Sequence, residues 1–201
     1  MGYRNLPGRI TFISHAPTAA TRAAAFPFDE PVEPPRLVEL RALGRRPVRA
    51  QQIETAPELR ARQTASALGL DPLPCPDLRE LDFGVWSGRP PQEIEPGGLA
   101  QWLSDTAATP HGGESIDALL LRVEGWLTAR RDTGHTIAIT HPSVIRAAIL
   151  HTLQAPAQSF WRIDIPPASV TDLRWNGRAW TLRSSGGPIA TGVEPKSVLI
   201  H

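Results

Sequence analysis

His15 and His141 each stand directly after an apolar run, and Arg60 and Glu80 lie between them in the chain. Arg9 to Ser14 reads as a short buried strand that cannot continue into His15-Ala16-Pro17-Thr18. Thr136 to Thr140 repeats the pattern and delivers His141, after which Pro142 opens a helix. Open α/β sheets bind ligands at the carboxyl ends of their strands, which is where both imidazoles fall. A neutral imidazole can attack a phosphoryl group. A guanidinium and a second, protonated imidazole can hold its equatorial oxygens, and a carboxylic acid can protonate the leaving oxygen. His15, Arg60, His141 and Glu80 are therefore the parts of a covalent phosphoryl-transfer site, with no metal-ligand set among them. Each also has an ordinary reading: a histidine that closes a strand, a solvated arginine in the first turn of a helix, a loop carboxylate.

Positioning these groups falls to alternating strands and helices. Residues 16–34 read as a long loop carrying Arg22. Arg36 to Arg46 has leucines at helical spacing with Gly44 at its end, and Val48 to Thr55 reads as the second strand. Pro57 to Leu70 reads as a helix with Arg60 in its first turn. Leu73 to Leu78 is a weak strand, and the aromatic, glycine-rich Leu78 to Gly88 carries Glu80. A short helix is expected over Leu99 to Asp105 and a stronger one after Ser115, with Ile116, Leu119, Leu120, Val123 and Leu127 on its apolar face. Beyond the helix from Pro142 to Leu153, Phe160 to Ile165 reads as a strand. Asn176-Gly177 marks a hairpin between Ser169–Arg174 and Ala179–Arg183, and the tail after Ser184 reads as coil. The expected fold class is α/β: a three-layer αβα domain with a mostly parallel, doubly wound sheet and an antiparallel C-terminal hairpin. It spans residues 1–201 as a single domain, with residues 85–113 as a small cap.

Composition narrows the function classes. The chain has 201 residues, 41% hydrophobic and 20% charged, and a formal net charge of +1. That balance speaks against a broad nucleic-acid surface. Cys75 is the only cysteine, which rules out a disulfide within the chain and a cysteine-based zinc site. No run reaches the roughly 18 to 20 apolar residues of a membrane span, and the N-terminus has no apolar signal core, so a cytoplasmic location is expected. Among the aromatics, Trp126, Trp175 and Trp180 read as packing, whereas Trp86 and Trp102 fall in the cap region with a chance of touching ligand. His111 reads as a solvated loop residue, and His135, His151 and His201 carry no evident role.

The order of these segments resembles the histidine phosphatase superfamily, also called phosphoglycerate mutase-like, from about residue 9 to 150. The family's Arg-His-Gly-x-Thr meets Ser14-His15-Ala16-Pro17-Thr18 here, and its Ser-x-x-x-Arg-Ala-x-Gln-Thr-Ala meets Ala56 to Ala65. Its Leu-x-Glu-x-x-Phe-Gly-x-Trp-x-Gly meets Leu78 to Gly88, its Pro-x-Gly-Gly-Glu-Ser meets Pro110 to Ser115, and its His-Gly-Gly-x-Ile-Arg meets His141 to Arg146. The resemblance implies hydrolysis of a small phosphorylated molecule without metal or other cofactor. It implies His15 as the residue that takes the phosphoryl group, Glu80 as proton donor, and Arg60 and His141 as pocket residues. Monomer and homodimer are both compatible, since an edge hairpin can pair two subunits.

Three departures weaken the pocket together. Ser14 stands where the family has an arginine, so one neutral hydroxyl replaces a charge-assisted grip on phosphate. Losing such a contact in a dry site costs on the order of 2–4 kcal/mol of transition-state stabilisation. Ala16 and Pro142 replace glycines, and Pro142 removes a backbone N–H. In one account another cation substitutes for the lost arginine, and Arg22 in the adjoining loop is the nearest candidate. In the other, the chain is a catalytically weakened or inactive member that binds an anionic ligand or a protein partner, or has altered chemistry.

Overall fold

β1 (Leu6–Ser14) begins exposed and ends buried, with Ile10 and Phe12 fully inside. A strand covered on both faces needs apolar residues on both, and Ile10 to Ile13 supplies them with one threonine between. A computed structural model of the chain describes residues 6–43 and 49–189. In it β1 lies at the centre of a six-stranded sheet of order β3-β2-β4-β1-β5-β6. β2 (Gln52–Thr55), β3 (Leu73–Pro74) and β4 (Thr133–Thr140) run parallel to β1 and to one another. β5 (Ser169–Trp175) and β6 (Trp180–Pro188) form the antiparallel hairpin. Helices cover both faces. α2 (Pro34–Ala42) and α3 (Leu59–Ala67) pack as one pair, and α5 (Ile116–Thr128) and α6 (Pro142–Leu153) as the other. Phe12 of β1 meets Trp126 of α5 at 5.5 Å between ring centroids, which fixes the second pair to the sheet.

Register does the positioning. Ser14 lies opposite Thr140 in the parallel pair of β1 and β4, and the His15 N–H continues the ladder to the Thr140 carbonyl at 2.9 Å. The next residue of each strand, His15 and His141, therefore leaves the sheet at the same edge, side by side. β2 ends at Thr55 on that edge and α3 begins four residues later at Leu59, so Glu58 and Arg60 arrive there too.

Within residues 84–113, two 3₁₀ turns (Gly84–Trp86 and Pro91–Glu93) and α4 (Pro96–Ser104) are formed. Phe26, Phe83, Trp86, Trp102 and His111 stack together with centroids 5.1 to 6.3 Å apart. Gly84 and Gly113 let two backbone segments cross. A Cβ at Gly113 would fall 2.1 Å from the Asp82 carbonyl, and one at Gly84 would fall 2.0 Å from the His111 carbonyl. His111 is buried, not solvated as its loop setting suggested. Its Nδ1 accepts from the Gly113 N–H at 2.9 Å.

Other expectations also change. The long loop at 16–34 contains a five-residue helix, α1 (Ala19–Ala23). Its capping box uses Thr21 where the usual signature has Glu or Gln, which hid the start signal. Phe160 to Ile165 is not a strand, because Ala157–Arg162 is a 3₁₀ helix. Helical pitch sends Phe160 into the core while Trp161 turns to Trp102, 4.3 Å between centroids. β3 is only two residues long. β6 runs past Ser184 to Pro188 by way of Gly186 at φ +67°, where the tail had read as coil. The expected end of the second helix at Gly44–Arg46, the strand start at Val48 and the tail after Ile189 lie outside the described residues. Among those described, no helix is long and apolar enough to cross a membrane.

Candidate active site

The His15 and His141 rings face each other at 5.2 Å between centroids at the shared strand edge. His15 is 5% exposed, and its Nδ1 lies 2.8 Å from the Ala16 carbonyl. A carbonyl only accepts, so that contact places the ring proton on Nδ1 and leaves the lone pair on Nε2. The Ala16 N–H is in turn held by the Thr64 hydroxyl at 2.9 Å, and that hydroxyl donates to the Arg60 carbonyl at 2.8 Å. The nucleophile candidate and the first turn of α3 are thus tied together. His15 lines a hollow of about 180 Å³ with Glu80, Ser143, Arg146 and Pro142.

Arg60 is 1% exposed. Its guanidinium donates to the Phe28 carbonyl at 2.5 Å and to Glu80 Oε2 at 3.1 Å, and lies 3.7 Å from Glu30. Glu80 also accepts from the Ser143 hydroxyl. His141 Nε2 donates to Glu58 Oε2 at 2.8 Å. Its Nδ1 lies 3.2 Å from Glu80 Oε2, close enough for charge attraction but not aligned for a hydrogen bond. Glu58 is the N-cap residue of α3, yet its carboxylate makes no cap bond. One oxygen goes to His141 and the other accepts the Glu80 N–H at 3.0 Å.

Charge follows from these contacts. Burial, helped by the neighbouring His141 and Arg60, pushes the His15 pKa down to about 3, so its ring is neutral at ordinary pH. Burial alone would depress His141 as well, but Glu80 and then Glu58 reverse the balance and raise it, favouring the imidazolium. The same pairing works on the carboxylates. Against the opposing effect of burial, His141 and Arg60 hold Glu80 well below the usual range, and His141 lowers Glu58. The ligand-free site is therefore a neutral His15 beside an interlocked set of opposite charges.

Four of the sequence-predicted site residues, His15, Arg60, Glu80 and His141, converge on this edge. Ser14 sits immediately beneath them, fully buried, and its hydroxyl has no hydrogen-bond partner among the described residues. It has too short a side chain to reach where an arginine would. Arg22 does not join the group. α1 holds it with its side chain 74% exposed, paired to Glu33 at 2.7 Å. Ala16 is a mild change, because it does not adopt the positive φ that would have required glycine.

Sequence reasoning missed Glu58, Ser143 and Arg146. Arg146 lines the same hollow as His15, is spent through Nε on the Ile163 carbonyl at 2.7 Å, and has no ion-pair partner among the described residues. Its spacing from His141, five residues along α6, was a usable signal. Glu58 carried none, since an acidic residue opening a helix is commonplace. His15, Glu80 and His141 also form a group whose ligand atoms lie within 4.8 Å of one another and could hold a metal ion. The Arg60 charge on Glu80 and the proton on His141 both oppose a cation there. A larger hollow of about 530 Å³ lies near α5, α6 and the turn of the β5–β6 hairpin, remote from these groups.

Residues 37–186, well over half of the chain, match the family described as the histidine phosphatase superfamily (branch 1), and the match begins after the His15 motif. The bifunctional protein Rv2228c of Mycobacterium tuberculosis is 31% identical over 129 residues, covering 59% of this chain and 35% of that protein. The chain thus spans about a third of the length of the curated relatives it matches. The fold is shared with solved structures, among them two phosphatases. The mycobacterial glucosyl-3-phosphoglycerate phosphatase Rv2419c, complexed with VO3, has a TM-score of 0.75 at 23% identity over 90% of this chain and 99% of that one. A mutant phosphoserine phosphatase from Entamoeba histolytica, in complex with phosphoserine, has a TM-score of 0.76 at 17% identity over 89% and 96%.

Proposed function

The chain belongs to the histidine phosphatase superfamily, and on that premise we propose that it hydrolyses a small cytoplasmic phosphomonoester through a phosphohistidine on His15. The observation that carries this reading is the His15 tautomer: Nδ1–H is pinned on the Ala16 carbonyl, so a neutral Nε2 is left with its lone pair. The phosphoryl group enters between His15, Arg60 and His141. Nε2 bonds to phosphorus as the bond to the leaving oxygen breaks. Arg60 and the His141 imidazolium take the equatorial oxygens. Arg146, the remaining cation on the hollow, takes the position that Arg22 does not reach.

Glu80 starts as a carboxylate and has to act as an acid. Its low pKa depends on His141 and Arg60. When phosphoryl oxygens engage those two cations, Glu80 loses their support and its proton affinity rises. It then holds the proton brought by the substrate monoanion or by solvent and passes it to the leaving oxygen. In the second half, Glu80 takes a proton from the water that attacks phosphorus, the N–P bond breaks, and His15 returns to its neutral state with free phosphate released. Residues 85–113 serve as the cap over this chemistry.

Turnover of a generic aryl phosphate in the presence of a chelator, lost in His15→Ala, tests the reading. No phosphate release, or equal release by the variant, overturns it. The second reading is an anion-binding protein without turnover. It is favoured by one observation: Glu58 already occupies His141 Nε2 while Ser14 offers no charge. Release of phosphate beyond one equivalent per chain rules it out.

A further inference from the structure

A second hollow, of about 340 Å³, adjoins the one that His15 lines. The two share Thr21, Ala25, Pro27, Phe83, Ser143 and Arg146, so they meet along a common wall. The far wall is aromatic: Phe26, Trp102, Phe160 and Trp161. These rings brace one another. Phe26 lies 5.5 Å from Trp102, Trp102 lies 4.3 Å from Trp161, and Trp161 meets Phe160 edge-on at 5.0 Å. Three separate elements supply them, α4, the 3₁₀ helix at 157–162 and the loop after α1, and their mutual packing fixes the shape of the chamber.

The polar inventory of the chamber is short. Of the residues lining it, Thr21, Ser143, Arg146 and the indoles of Trp102 and Trp161 carry polar atoms; the two indole N–H groups are buried without hydrogen-bond partners among the described residues, and the other three side chains are engaged. Thr21 bonds to Thr18, Ser143 to Glu80, and Arg146 through Nε to the Ile163 carbonyl. No carboxylate, amide or imidazole lines it. A sugar or glycerate entering this space would find donors but few acceptors for its hydroxyl protons, which is unfavourable, whereas the two indole N–H groups suit a ring that carries an acceptor atom. A flat ring would instead meet ring faces and edges at the spacings aromatic pairs prefer. The volume is about twice that of the ~150 Å³ apolar cavity that accommodates benzene.

We propose that this chamber receives the leaving group, and that the leaving group carries a flat aromatic or heteroaromatic body. The assignment rests on the phosphatase reading of the adjoining site. The test is calorimetric titration with methyl-, hexyl- and benzylphosphonate, which share one charged head and cannot be hydrolysed. Benzylphosphonate is expected to bind at least tenfold more tightly than methylphosphonate and more tightly than hexylphosphonate. Trp161→Ala removes one wall, and Ala24→Phe narrows the chamber from an exposed position outside the core, its left-handed backbone (φ +49°) checked by comparing the thermal stability of variant and parent. Each is expected to cut the benzyl-to-methyl ratio at least fivefold. A ratio near one in the parent protein, hexyl binding equal to benzyl, or a ratio unmoved in Ala24→Phe overturns the proposal. Hydrolysis separates the two claims. Equal kcat/KM for phenyl phosphate and glycerol phosphate, both lost in His15→Ala, defeats the chamber and leaves the phosphatase. Benzylphosphonate bound as expected, with no phosphate ester turned over, defeats the phosphatase and leaves the chamber.

Discussion

Glu58→Gln should make the protein bind inorganic phosphate more tightly. In the free site the His141 imidazolium has two N–H groups. One donates to Glu58 at 2.8 Å and the other faces Glu80. An entering phosphate needs at least one of them, so it has to displace a carboxylate first. A hydrogen bond between charged groups contributes about 1.5–3 kcal/mol net. The Glu58 side chain is 19% exposed, so solvent weakens that contact only in part. Replacing the carboxylate with an isosteric amide removes most of this competition, and the conversion of 1.4 kcal/mol per factor of ten gives roughly 10- to 150-fold tighter binding. The amide oxygen still accepts the Glu80 N–H, which keeps the backbone in place. One effect opposes the gain: without Glu58, His141 loses part of the support that raises its pKa. Titration at pH 5.5 reduces this effect, because acid favours the imidazolium and Glu80, the larger of its two supports, still faces the ring. Calorimetry with phosphate on the parent and the variant is the assay. Unchanged or weaker binding in Glu58→Gln would refute the competition and make Glu58 a support for the His141 charge.

Further outcomes follow from the same site. His15 titrates at about 3 in the folded protein and near 6.5 unfolded, so between those values the unfolded chain binds more protons and stability falls as pH drops. The His15 share of that slope approaches 1.4 kcal/mol per pH unit, and urea denaturation at pH 4.5 and 7 should show a smaller loss in His15→Gln. His141 works in the opposite direction: its pKa is raised, so its stabilisation is full below pH 6.5 and is lost as pH climbs through the raised value. Ser14→Ala should keep full activity with unchanged or slightly higher stability, because it removes a buried hydroxyl without a partner. A clear rise in KM would mean that Ser14 grips the substrate after all.

Much of this architecture can be traced to local pattern. Apolar runs ending at His15 and His141 are strong strand signals, and parallel pairing then places both imidazoles on one edge. Arg60 and Glu80 are identified by their motif neighbours. What stayed hidden depends on tertiary partners. Glu58 looks like any acidic residue at a helix start until His141 takes its carboxylate. Arg22 is close to His15 in the chain, but α1 directs it to Glu33, whereas Arg146 reaches the hollow from α6. Phe160 to Ile165 has the composition of a strand, yet its two aromatics serve different neighbours from a 3₁₀ helix, Phe160 in the core and Trp161 against Trp102.

Turnover on the proposed route passes through a phosphoryl group carried by His15. Rapid acid-free quenching after mixing with an aryl phosphate labelled on phosphorus, followed by peptide mapping, reads it directly. The expected label is stable to base, released by acid, located on the peptide containing His15 and missing in His15→Ala. Label found elsewhere, or none trapped while phosphate is still being released, would contradict it.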